Sequence, residues 1–470
     1  MVARPSRAFG LVLAGGLAGA LLARPALAQS IASPRGLSLL VIGLLVAALA
    51  YLCALSDPAW ALSGALALST LSGNWHTVGL PSSVAPDRIL LLVGLGALLL
   101  RAPGAAGRPR IVVGGVHWLL FAVVVYALLS AFLTGGLLDS GAIFRLVDRY
   151  GVIPFLVFLV APVAFRTDAQ RRILLGTLIA LGAYLGLMAV FQKVGPHGLV
   201  FPRAIADPSV GIHSGRARGP FLEAVSNGFG LFVCAVAAGI AVMTWRRPWA
   251  RAGAGAVIVL CCVGIVLTLT RSIWIGSTLG LLTMMLVAKD LRRHIVPVAV
   301  AGAVVVVCAM TFIPGLSGQA QDRADNSSTV WERDALNVAA IGMFERYPLF
   351  GVGWNRYSAV QADYLRQGED YPLRPISGIG VHNVFLARAS ELGGIGLALW
   401  AGALLVALYG ALRRRAPPGL EPWRAGLAGI AVCWLVVANL VDPGSFPMLS
   451  LWLWAGLLWR PGSLVTARHA

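Results

Sequence analysis

Charge is scarce in this chain. Only 12% of its 470 residues are charged, and the 19 acids are about half as many as the 37 bases. With 58% hydrophobic content and a mean hydropathy of +0.81, that excludes an ordinary soluble domain and points to a polytopic membrane protein. Strict apolar–polar alternation is missing, which excludes a membrane β-barrel and leaves a bundle of helices. The cysteines (Cys53, Cys234, Cys261, Cys262, Cys308, Cys433) all fall in apolar stretches without metal-ligand spacing, so we read them as small core or lipid-facing residues. No Asp-x-Asp pair occurs in the outer segments, and Asp322/Asp325 or Glu369/Asp370 are weak substitutes, which argues against a catalytic divalent metal. There is no nucleotide-binding loop, no internal repeat and no linker to a second domain. No cofactor is expected.

Apolar stretches of spanning length are what the chain has instead. Fourteen candidates run at 8–28, 37–55, 58–72, 88–101, 111–133, 150–165, 173–194, 221–243, 252–270, 272–288, 295–313, 384–412, 424–441 and 445–460. The third, fourth and sixth are short. With the N-terminus inside and strict alternation, the inner loops collect Arg101/Arg108/Arg110, Arg166/Arg171/Arg172, Arg246/Arg247/Arg251, Lys289/Arg292/Arg293 and Arg413/Arg414/Arg415. The net charge of +18 is thus mainly an orientation signal, not a nucleic-acid footprint. The reading is all-α: one membrane domain over 1–470, about 12–14 helices, and a small helical cap at 314–381 on the outer side. Residues 1–28 fit either a retained helix or a cleavable signal peptide, with Arg4 and Arg7 before an apolar core and Ala26-Leu27-Ala28 before Gln29. Within the cap, Thr329 and Glu332 fit a capping box, Val330–Tyr347 reads as a helix ended by Pro348, and Trp354–Gln367 as a second.

Four polar clusters collect at outer-side positions. The run from Val381 holds His382, Asn383, Arg388 and Glu391 where the cap meets a span, a costly set of groups to take from water. His382 is either a satisfied structural histidine or a general base, and Asn383 suits a positioning group for the ring or a sugar hydroxyl. Glu391 either pairs with Arg388 or touches substrate. Arg271 interrupts 252–288, whose 37 residues would span about 55 Å as one helix, so the chain must turn there. That arginine either snorkels to headgroups or binds an anion, and flanking Thr268 and Thr270 favour the anion. Arg216 and Arg218 are either solvated loop charges or anion ligands, the second favoured by Gly219-Pro220 at the start of another span, where backbone amides also attract anions. Arg145 and Arg149, beside Asp148, read as a local ion pair. The fourth cluster is Arg346-Tyr-Pro348-Leu-Phe-Gly351-Val-Gly353.

Taken together these clusters resemble the O-antigen ligase/polymerase family of bacterial inner-membrane glycosyltransferases, over roughly residues 200–400. Arg218-Gly-Pro-Phe221…Asn227 is similar to the family's arginine-glycine-aromatic…asparagine stretch. Leu269-Thr270-Arg271-Ser272 resembles its threonine/serine-arginine turn, with Thr where Ser is commoner. Tyr347-Pro-Leu-Phe-Gly351-Val-Gly353 resembles its proline…glycine-x-glycine motif, and His382-Asn383…Leu386…Glu391-Leu-Gly393…Gly396 its His-Asn run. The resemblance implies transfer of a polyprenyl-diphosphate-linked glycan to an acceptor sugar at the periplasmic face. The acceptor would be lipid A–core oligosaccharide or a growing polysaccharide. It implies Arg271, with Arg218 and Arg216, on the departing diphosphate and His382 as base. The rival from another class is a lipid-linked oligosaccharide flippase, which the nearly charge-free midplane disfavours.

Overall fold

The computed structural model describes residues 51–53, 55–80, 85–100, 111–136, 140–312, 315, 317–318, 321, 328–365, 379–413, 419–441 and 444–459. The expectations for residues 1–50, the basic loop 101–110, Asp322/Asp325 and Glu369/Asp370 lie outside them. The described elements are helices, with no strand among them. In order they are α1 (Pro58–Leu68), α2 (Pro86–Leu100), α3 (Gly115–Leu133), α4 (Ser140–Phe144), α5 (Val152–Ala164), α6 (Asp168–Lys193), α7 (Ala224–Thr244), α8 (Pro248–Leu267), α9 (Arg271–Val287), α10 (Ile295–Phe312), α11 (Ser328–Arg346), α12 (Tyr357–Val360), α13 (Val384–Arg413), α14 (Glu421–Ala438) and α15 (Ser445–Leu458).

Among the described residues 8 helical segments are long and apolar enough to cross a membrane, and Pro58–Leu71, Arg271–Val287 and Ser445–Leu458 are shorter apolar helices. The chain is a multi-pass membrane protein. One of the short candidates lengthens through its flank: a π-helical turn, Arg145–Tyr150, joins α4 to α5, so the segment runs Gly141–Ala164. Such turns are rare and tend to mark functional or strained places.

The expected turn at Arg271 is present, and its cause is visible. Leu269 adopts φ 48°, a left-handed conformation uncommon for a leucine. The last carbonyls of α8 find partners there: the Ala217 amide donates to Leu267 (3.0 Å) and the Trp274 indole to Ile265 (3.0 Å). Beyond the turn, α9 packs on α14 at very short range. A Cβ on Gly280 would lie 2.5 Å from the Gly429 carbonyl, and Gly276 faces Cys433 in the same way. Small residues four apart allow this approach between membrane helices. The crossing brings the start of α9 and the end of α14 to one end of the bundle, beside the cap. The far end holds Arg246 and Arg247 between α7 and α8, Arg251 in the first turn of α8, and Arg292 and Arg293 after α9.

The cap helix α11 begins at Ser328, close to the expected start, and packs on α13. A small core of Leu336, Ala340, Met343, Tyr357, Val381 and Ala387 joins them. The second cap helix is shorter than expected: α12 and a 3-10 turn, Gln361–Asp363, replace a helix from Trp354. Trp354 is instead drawn into the bundle, 1% exposed, its indole donating to the Ala142 carbonyl (2.9 Å), and Asn355 follows at φ 62°. Burial of the indole overrides helix propensity at that point.

Candidate functional site

A cavity of about 200 Å³ opens between the cap and the membrane bundle, lined by Arg333, Asp334, Asn337, His382, Asn439 and Leu440. Three elements build it. Arg333, Asp334 and Asn337 share one stripe of α11 by their spacing. His382 precedes α13 and is half-buried, and Asn439 and Leu440 end α14. Asn439 is held in place by its own amide, which donates to the Leu435 carbonyl (2.8 Å).

Arg271 joins this site through Arg333. Burial pushes the Arg333 pKa below its ordinary value, and the positive charge of Arg271 pushes the same way, with Glu332 opposing. Two guanidinium groups near enough to feel each other repel, and an anion between them would relieve both. Arg271 itself is exposed at the first position of α9. Arg216 lies alongside, because its neighbour Ala217 is bonded to the end of α8 and its own carbonyl accepts from Gln192 Nε2 (2.7 Å).

Other expected site residues are placed elsewhere. Arg218 is fully buried, and its guanidinium donates to the backbone carbonyls of Ala204 (3.0 Å), Ile205 (2.9 Å), Ile212 (3.4 Å), Asp207 and Val210. It organises the 203–218 loop from within and does not face the cavity. Asn227, its motif partner, donates from Nδ2 to the Ala217 carbonyl (3.0 Å) in the same knot. The hydroxyls of Thr268 and Thr270 donate to the carbonyls of Ile265 and Thr268, so they do not offer donors to an anion.

Asn383 is the N-cap of α13: its Oδ1 accepts the amides of Phe385 (2.9 Å) and Leu386 (3.1 Å). Its Nδ2 points to Asn439 Oδ1 at 3.4 Å. Arg388 and Glu391 are 3% and 2% exposed, and their ion pair (3.4 Å) is internal. Glu391 also meets Arg145 at 3.3 Å, and the Arg388 guanidinium lies 4.7 Å from the centre of the Tyr150 ring and 5.2 Å from that of Trp354. Arg145 therefore reaches across the fold, and Asp148 pairs with Arg88 instead of a local arginine.

This buried cluster has a reason. Helix α13 breaks at Gly393 (φ 66°, ψ −172°), which frees backbone groups on both sides of the break. The segment Pro348–Gly353 takes them up: the Val352 and Gly353 amides donate to Ser390 and Glu391 (both 2.9 Å), and the Gly394 amide donates to Pro348 (2.7 Å). A Cβ at Gly393 would stand 2.2 Å from the Leu349 carbonyl, so only glycine fits. The proline-glycine motif and the Glu-Leu-Gly motif are two halves of one joint, which anchors the cap beside His382.

Sequence reasoning missed Arg333, Asp334, Asn337 and Asn439. The signal for the first three was their helical spacing within the cap helix, four residues or fewer apart. No sequence signal pointed to Asn439.

No curated protein matches the chain. Residues 256–401, from within α8 to within α13, match the family model described as O-antigen ligase. That stretch includes Arg271, Arg333, His382 and the joint at Gly393, and it excludes Arg216 and Arg218. Residues 256–401 are thus similar to an O-antigen ligase domain, and the cavity beside the cap lies within that stretch apart from Asn439 and Leu440.

Proposed function

We propose that this protein transfers a glycan from a polyprenyl-diphosphate carrier to the hydroxyl of an acceptor sugar, at the periplasmic face of a bacterial inner membrane. The observation that carries the reading is the meeting of Arg333 and His382 on one cavity, with the charge of Arg271 felt at Arg333. Guanidinium groups bind phosphate oxygens through paired, charge-assisted hydrogen bonds. Arg271 and Arg333 hold the diphosphate and stabilise the charge that grows as it departs. The acceptor oxygen forms a bond to the anomeric carbon, the bond from that carbon to the diphosphate oxygen breaks, and His382 takes the hydroxyl proton. Diphosphate is a good leaving group, so no strong acid is needed. Arg216 borders the same turn and completes the basic rim. The acceptor is either lipid A–core oligosaccharide or a growing lipid-linked polysaccharide, and membrane lipids surround the bundle.

The test uses purified protein in lipid nanodiscs, a polyprenyl-diphosphate glycan and candidate acceptors, with product read by mass. Wild type forms a glycosidic product. Arg271→Ala and Arg333→Ala each lower the rate on the order of 100-fold, the effect typical of removing one charge-stabilising donor, and His382→Ala abolishes detectable turnover. Full transfer by a variant removes that residue from the assignment. Movement of lipid between leaflets without any product would establish a flippase instead.

A further inference from the structure

The cavity beside His382 has a mixed lining. Arg333 brings only donors, Asp334 brings acceptor oxygens, Asn337 and Asn439 carry an acceptor oxygen beside their amide donors, and Leu440 adds an apolar patch. Asn337 is the most informative of them. Its Oδ1 is buried and accepts no hydrogen bond from any described residue. A buried carbonyl oxygen left unpaired costs about 1–3 kcal/mol, so a group that meets it with a donor gains accordingly. An anion cannot do so, because it has no donor to offer. A sugar ring can, since every free hydroxyl carries one.

Position narrows the choice of sugar. Asn337 is one turn beyond Arg333, about 6 Å along the helix axis. Side chains one turn apart on a helix are neighbours, so one ligand can meet both. A cavity of about 200 Å³ holds on the order of ten waters, room for one pyranose.

Resting on the proposed transfer reaction, we infer that Asn337, with Asp334 and Asn439, forms the subsite for the donor's first sugar, the one bonded to the diphosphate. Asn337 Oδ1 accepts from a ring hydroxyl or from the N–H of an acetamido group, Asp334 accepts from a second hydroxyl, and Leu440 lies under an apolar face of the ring. This arrangement turns the anomeric carbon towards His382 while the arginines hold the diphosphate. Asn337 is then a specificity-determining residue, not a catalytic one.

The experiment compares two probes in nanodiscs: bare undecaprenyl diphosphate, and the lipid-linked glycan extracted from the cells that make the protein. Wild type binds the glycan-bearing lipid more tightly than the bare one. Asn337→Leu binds bare undecaprenyl diphosphate as wild type does, but loses about three- to ten-fold on the glycan-bearing lipid, the span of one neutral hydrogen bond. Asn337→Asp, which keeps the acceptor, retains most of the preference. Should Asn337→Leu fail to fold, Asn337→Ala carries the same comparison. An unchanged preference overturns the inference, as does an equal loss on both probes, which marks a structural role. A loss confined to the KM for the acceptor assigns the cavity to the acceptor sugar and overturns the donor assignment. If wild type binds neither lipid, the diphosphate reading itself fails, and the subsite with it.

Discussion

Neutralising Glu391 separates an internal brace from a substrate contact. The carboxylate is 2% exposed and meets two guanidinium groups, Arg388 at 3.4 Å and Arg145 at 3.3 Å. Glu391→Gln keeps the shape and removes the charge, leaving Arg388, 3% exposed, against the faces of Tyr150 and Trp354. Breaking a buried ion pair costs about 3–5 kcal/mol. The lower half of that range applies here, for two reasons. The Arg145 side chain is 30% exposed and is relieved by water. The rings also retain about 2 kcal/mol of attraction for a desolvated cation. We expect a loss of about 3 kcal/mol, read as a lower unfolding midpoint by tryptophan fluorescence in detergent, because Trp354 reports on this cluster. Glycan transfer falls in step with the folded fraction. Replacing both partners by apolar residues, Arg388→Met with Glu391→Leu, recovers most of the stability, since the penalty comes from the charge left alone. A Glu391→Gln protein that melts like wild type yet no longer transfers glycan would refute the reasoning and return Glu391 to the substrate.

The other corrections carry their own tests. Asn383→Asp preserves the cap of α13 and keeps both stability and transfer, whereas Asn383→Ala lowers stability by about 1 kcal/mol; equal inactivity of the two, with unchanged melting, would show that Asn383 binds substrate. Arg218→Lys cannot serve five carbonyls with one ammonium group and leaves several unpaired at about 1–3 kcal/mol each, so amides of residues 203–218 exchange hydrogen faster while α7 and α14 stay protected. Wild-type exchange with lost transfer would place Arg218 at the cavity after all.

How much could be read before folding differed between elements. The turn at Arg271 was legible because an apolar run of that length has only one way to fit a bilayer, and a lone arginine marks where it bends. The cap helix was legible from its polar composition and its ending at Pro348. The second cap helix was not, because Trp354 is claimed by the bundle through Ala142, more than two hundred positions away in the chain. Two of the motifs serve the fold where the sequence suggested ligand binding. Arginine-glycine-proline-phenylalanine and Glu-Leu-Gly look like ligand motifs in one dimension, yet the first ties a guanidinium to the carbonyls of its own loop and the second joins backbone to backbone. Arg333, which no motif singled out, faces the cavity.

The sequence by itself therefore determined that this is an all-helical, multi-pass membrane protein, where its long apolar run turns, and which basic loops share one end. Those follow from hydropathy and charge, which act on each segment separately. Only the tertiary structure decided which arginines stand at the cavity and which serve the fold. Every guanidinium carries the same charge and the same five donors, so its role is set by what surrounds it. Around Arg218 those surroundings are five carbonyls of its own loop. Around Arg388 they are a carboxylate and two aromatic rings, and around Arg333 they are a cavity, His382 and the charge of Arg271.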